Sequence, residues 1–151
     1  MLFHVLECIF VARNMARDIF HFHVKEALVK DGWTITHDQW VLKGLTRKIS
    51  IDLAAEKILV AERGTDKIAV EVKSFLGLST LTDLYEALGK YEIYLEVLRE
   101  KEPDRVLFVA MPITPYEDLV REPFIFNTLQ RLDVKIIVFD IYEKVIVKWI
   151  L

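Results

Sequence analysis

Ile68-Ala69-Val70-Glu71-Val72-Lys73-Ser74-Phe75 is a run of apolar and β-branched residues that reads as a strand too apolar for a sheet edge. Side chains on a strand alternate between faces, so Glu71 and Lys73 share one face while Val70 and Val72 share the other. A strand covered on both sides with two opposite charges on one of them calls for a mixed or parallel sheet flanked by helices.

The flanking sequence supplies the other elements. Phe20, Val24, Ala27 and Leu28 recur at helical spacing between Ala16 and Asp31, and Gly32 follows as a stop. Short strands are expected at Trp33–Thr36, Lys48–Leu53, Lys57–Glu62 and Lys67–Phe75, with a hairpin at Arg63-Gly64-Thr65-Asp66. Ser79 or Thr82 can cap a helix from about Asp83 to Glu100 whose apolar stripe is Leu84, Leu88, Tyr91, Leu95 and Leu98, and Pro103 closes it. Val106–Met111 is a continuous apolar strand, Phe124–Arg131 a helix, and Val134–Ile141 and Val145–Ile150 two last strands around Tyr142-Glu143-Lys144. The order predicts an α/β fold, a mixed β-sheet flanked by helices, with no linker or repeat to divide it.

Composition narrows the class. The 151 residues are 53% hydrophobic and 28% charged, which describes a folded chain of one domain's length. A net charge of −3 gives no global basic field, so contact with nucleic acid would depend on a local patch. A single cysteine, Cys8, excludes a disulfide framework and suits a reducing cytoplasm. Residues 1–14 are apolar but lack a basic leader and fall short of the roughly 20 residues a membrane span needs. They read as an N-terminal extension, an upstream start or a loosely attached segment, ahead of a single domain over 15–151.

The charged pair gains meaning from the strand before it. In Ile49-Ser50-Ile51-Asp52-Leu53 the alternation turns Asp52 away from the isoleucines, so the strands can bring Asp52, Glu71 and Lys73 together. Two carboxylates on rigid strands suit a hard dication such as Mg²⁺ or Mn²⁺, and a neighbouring lysine can position or deprotonate an attacking water. Phosphodiester cleavage needs those parts. An ordinary ion pair on a sheet face competes with that reading. Lys43, Arg47 and Lys48 form a basic segment suited to DNA phosphates or to a solvated loop. Trp33 and Trp40 suit base stacking or plain core packing. His21 and His23 precede Glu26 on the first helix, where a general base competes with an ordinary surface or core role.

The pattern Asp52…Glu71-x-Lys73 resembles the restriction-endonuclease-like PD-(D/E)xK core, with Ile51 in place of the nominal proline. From Met15 onward, MARDIFHFHVKEALVKDGW, KISIDLAAEKI, IAVEVKSF and TDLYEALGKY are similar to the XisH family, the fdxN element excision controlling factors. The resemblance implies an endonuclease-like core and a role in programmed excision of a DNA element. It implies Asp52 and Glu71 as metal ligands, Lys73 as the catalytic lysine, and Glu26 of the first helix as a further ligand. Where such nucleases carry Q-x-x-x-Y, this chain has Lys90 and Tyr94, and Lys90 could reach a phosphate as a point charge. The implied partners are DNA, a companion excision factor such as XisI or a recombinase, and a second copy of the chain in a homodimer. The alternative is a non-catalytic controlling subunit that keeps the fold to bind DNA or protein.

Overall fold

The three apolar runs Ile68–Val72, Val106–Met111 and Ile136–Phe139 lie side by side at the centre of a six-stranded mixed sheet. The computed structural model describes residues 2–40, 58–77 and 79–151. Its elements are α1 (Leu2–Lys30), β1 (Thr34–Trp40), β2 (Ile58–Arg63), β3 (Asp66–Val72), α2 (Thr80–Lys101), β4 (Arg105–Pro112), α3 (Ile113–Val120), α4 (Pro123–Arg131), β5 (Ile136–Asp140) and β6 (Val145–Ile150). The strands stand in sequence order, with β3, β4 and β5 parallel and the remaining neighbours antiparallel. The strand expected at Lys48–Leu53 lies outside the described residues.

The sheet is covered on both faces. Ile68 and Val70 of β3, with Phe108, Ala110, Ile137 and Phe139, pack beneath Val24 and Leu28 of α1. Ala69, with Ile58, Val60, Leu107, Val109, Ile136 and Val138, packs beneath α2, α3 and α4. Strict alternation along β3 therefore sends Glu71, two residues after Ala69, to the α2 side.

Local chemistry places the turns. α1 stops because Gly32 takes a left-handed φ of 88° while Trp33 N donates to Leu28 O and Gly32 N to Val29 O, the paired bonds of a Schellman end. Gly64 (φ 61°) closes the β2–β3 hairpin. Ser79 accepts from Thr82 N at 3.3 Å and caps α2. Leu84, Ala87, Tyr91, Tyr94, Val97 and Leu98 form the buried stripe of α2. At its centre Tyr91 Oη donates to Leu107 O and accepts from Lys135 N, both at 3.2 Å, tying the helix to β4 and to the lead-in of β5.

Several boundaries differ from the sequence-based expectation. α1 begins at Leu2 and runs through Met15 without a break; Phe3, Val5, Leu6, Val11 and Met15 are exposed along it. β1 extends to Trp40, and β3 ends at Val72, short of Phe75, whose φ of 55° lies outside the range of a strand. α3 was not expected. It starts at Ile113 directly after Pro112 and carries Pro115 in its first turn, where a missing N–H costs nothing.

Two outcomes follow. Tyr91→Phe removes a buried hydroxyl that satisfies two backbone groups, and its loss should cost about 1–3 kcal/mol in urea unfolding; Tyr85→Phe, at an exposed position of the same helix, should change stability by less than about 0.5 kcal/mol. A chain beginning at Met15 should keep its thermal midpoint within about 4 °C, the equivalent of about 1 kcal/mol. A larger fall would show that residues 1–14 support the core.

Candidate functional site

Glu71 stands in the last part of β3 with Ile58 of β2 and Val109 of β4 as its register partners. Its side chain is only 2% exposed. Lys73 follows just past the strand, held in line by its own N–H to Ala110 O at 2.9 Å, and it is also buried. The shared face inferred from strand alternation is therefore the face toward α2.

α2 answers these charges. Glu86, Lys90 and Tyr94 recur at four-residue spacing along α2, with Tyr94 in the buried stripe and Glu86 half-exposed at its edge. Glu86 Oε1 lies 3.4 Å from Lys73 Nζ and accepts from Lys90 Nζ at 2.9 Å. The hydrogen bond from Lys90 holds the Glu86 carboxyl below the ordinary glutamate value; burial works against this, and the nearby charges of Lys73 and Lys90 add to the lowering. Tyr94, expected with Lys90 at the DNA, is instead fully buried in the same apolar cluster as Ile58 and Ala69, so it has no surface to offer a phosphate. Lys73, Glu86 and Lys90 thus form one chain of ion pairs at the end of β3, on the sheet face that Glu71 shares. Glu86 was not singled out from the sequence, where it looks like a helix-surface charge; its spacing from Lys90 is the one signal that could have found it.

The remaining predicted residues divide. Asp52, Lys43, Arg47 and Lys48 lie outside the described residues. The described chain leaves at Trp40 and returns at Ile58, and those residues pair with each other at the level of Glu71. Glu26 is not brought to this site. α1 packs on the opposite face of the sheet, and the Glu26 carboxylate sits 3.7 Å from Lys144 Nζ in the β5–β6 turn. Helical spacing cannot reveal which sheet face a helix covers, and here it is the face away from Glu71. His21 is likewise remote from Glu71, 2.6 Å from Asp38 of β1, where Lys25 also donates at 2.5 Å. Burial resists ionisation of Asp38, but the hydrogen bonds from Lys25 and His21 outweigh it and hold the carboxyl below its usual range. Burial, with Lys144 nearby, lowers the His23 imidazole, while Glu26 pulls the other way.

The donors at the β3 end are carboxylate oxygens, the kind a hard dication takes, with no thiol or imidazole among them. Among the described residues no three Asp, Glu, His or Cys side chains gather into a metal site. Nor, among those residues, is any helix long and apolar enough to cross a membrane.

Because the Glu86 carboxyl is held below its ordinary value of 4.5, its ionised form stabilises the fold above that pH, and the contribution is lost as pH falls through the lower folded value. Glu86→Gln should remove this part of the acid sensitivity, so that wild-type and variant urea midpoints draw together as pH falls below the ordinary glutamate value. Parallel curves across the acid range would contradict the pairing.

Comparison with known proteins places this geometry in context. The family model XisH protein matches residues 15–147. The crystal structure of an XisH family protein from Nostoc punctiforme is 37% identical, with a TM-score of 0.79, over 88% of this chain and 99% of that one. The crystal structure of an fdxN element excision controlling factor protein from Anabaena variabilis is 40% identical, with a TM-score of 0.80, over 89% of this chain and 100% of that one. No protein of curated function matches the chain.

Proposed function

The chain belongs to the XisH family, and from that premise we propose that it acts in the control of DNA-element excision through a restriction-endonuclease-like core that engages DNA at the β3 end. The observation that carries this reading is the buried pair Glu71 and Lys73 on the α2 face, at the level where the chain departs at Trp40 and returns at Ile58. Asp52 lies six residues before Ile58 (58 − 52), a span that reaches roughly 20 Å if extended, ample to present a second carboxylate beside Glu71.

In this reading Asp52 and Glu71 would hold Mg²⁺ or Mn²⁺. The ion would polarise the phosphodiester and stabilise charge on the departing oxygen. Glu26 has no part, since its position is on the other face of the sheet. Lys73 orients the attacking water and meets negative charge growing on the phosphate. Glu86 fixes the Lys73 ammonium and holds Lys90 in line, so that Lys90 can meet a phosphate at the rim. Tyr94 anchors that part of α2 in the core. Lys43, Arg47 and Lys48 would ride on the DNA backbone.

A non-catalytic controlling subunit is the second reading. What favours it is the sharing of one carboxylate, Glu86, by both lysines, together with the net charge of −3. Such a subunit would use the same fold to bind DNA, a companion excision factor or a recombinase, alone or as a homodimer.

One pair of measurements separates the readings. Saturating Mg²⁺ or Mn²⁺ should raise the thermal midpoint, by the equivalent of about 2.7 kcal/mol at a hundredfold excess over Kd, and Asp52→Asn or Glu71→Gln should abolish the rise. Nicking of supercoiled plasmid should be lost in Lys73→Ala. Metal binding without nicking supports the controlling subunit, and no metal response in the wild type removes the metal site.

A further inference from the structure

At the opposite end of the sheet, on the α1 face, the structure leaves an open cleft of about 540 Å³. It lies there because α1 ends at Lys30 and turns away through Gly32, so among the described residues no helix covers the start of β4 on that face. Along that face of β4, exposure falls from 38% at Val106 to 2% at Phe108 and 0% at Ala110. The cleft opens beside Lys67, four residues before Glu71 on β3, or about 13 Å along the strand.

Its wall is aromatic and its rim is cationic. Trp149 of β6 stands edge-on to Phe108, with ring centres 5.1 Å apart, and 5.9 Å from the ring of Trp33. The Arg63 guanidinium lies 4.5 Å over the Trp33 ring, and Lys67 and Lys135 complete the rim. The acids that meet these cations are solvent-facing: Asp31 is 3.3 Å from Arg63, Asp104 is 3.0 Å from Lys67, and Asp133 is 3.7 Å from Lys135. Exposed pairs of this kind are weak and readily give way to a better anion. Trp33 is 5% exposed, and its indole Nε1 has no acceptor among the described residues. A buried donor of that sort in the wall of a cleft is a place for a ligand's acceptor.

We propose that this cleft is a nucleotide-binding site, taking a planar base against Trp149 and its phosphate at the cationic rim. A flat ring offers the part-exposed Trp149 a stacking partner whatever the base, and base-edge carbonyls or ring nitrogens are acceptors for the Trp33 N–H once the wall adjusts to admit them. A phosphate matches the guanidinium fork of Arg63 and the point charge of Lys135. The volume falls within the range of small-ligand sites. The nucleotide has two sources, a free mononucleotide or the terminal nucleotide of a DNA single strand. The inference rests on the nucleic-acid part of the function proposed above and is independent of hydrolysis at Glu71 and Lys73.

Calorimetric titration of the full chain without divalent metal, using dAMP in one arm and a short, terminally phosphorylated oligodeoxyadenylate in the other, tests it. Saturable binding is expected in at least one arm. The double variant Arg63→Glu, Lys135→Glu, changed only at the rim, should weaken it by about tenfold or more. Lys73→Ala, which removes the proposed nicking, should leave it unchanged. Binding of dAMP assigns the site to free nucleotides, and binding of the oligonucleotide alone assigns it to a strand end. Binding in neither arm, unchanged binding in the rim variant, or loss of binding in Lys73→Ala overturns the assignment.

Discussion

A carboxylate removed from water is costly unless opposite charge or hydrogen bonds meet it, and Glu71 is held at 2% exposure on the third of six strands. The arrangement of α2 follows from that constraint. The helix buries an apolar stripe for most of its length, but at its N-terminal half it turns Glu86 and Lys90 toward the strand end where Lys73 lies beside Glu71.

The rest of the fold keeps that end rigid. β3 has a neighbour on both sides and a helical layer on both faces, so Glu71 cannot shift without moving the core. Tyr91, one turn along from Ala87, locks α2 to β4 and to the lead-in of β5 through two backbone groups. Burial raises the Tyr91 phenol above its ordinary value, partly offset by the bond from Lys135 N, so the bridging hydroxyl keeps its proton through the neutral range. The same sheet carries two different surfaces at its two ends: charged side chains facing α2 at the end of β3, and an aromatic cleft on the α1 face where β4 begins.

Much of this was legible in the sequence, for reasons that can be traced to particular residues. Alternation along Ile68–Lys73 assigned Glu71 and Lys73 to one face, and the stripe from Leu84 to Leu98 gave α2 nearly to its ends. What failed to show were facts of tertiary packing. α3 was not expected between the Val106–Met111 strand and the Phe124–Arg131 helix; Pro112 and Pro115 stand before and within its first turn, which allows it to start there. Glu26 has suitable chemistry on a suitable helix, but α1 lies on the other face of the sheet, where Lys144 meets it. Trp33 and Trp149 are more than a hundred residues apart (149 − 33 = 116), and only the sheet brings their rings together. Glu86 is a half-exposed helix acid, and only the fold brings Lys73 to within 3.4 Å of it.

In the proposed site Asp52 and Glu71 would hold one dication next to the Lys73 amine. A crystal of the full chain grown with Mn²⁺, its position fixed by anomalous scattering, tests this most directly. The account predicts a single strong peak within about 2.5 Å of oxygens from both carboxylates, on the α2 side of the sheet. A peak elsewhere, or an Asp52 side chain placed on the α1 side, would contradict it.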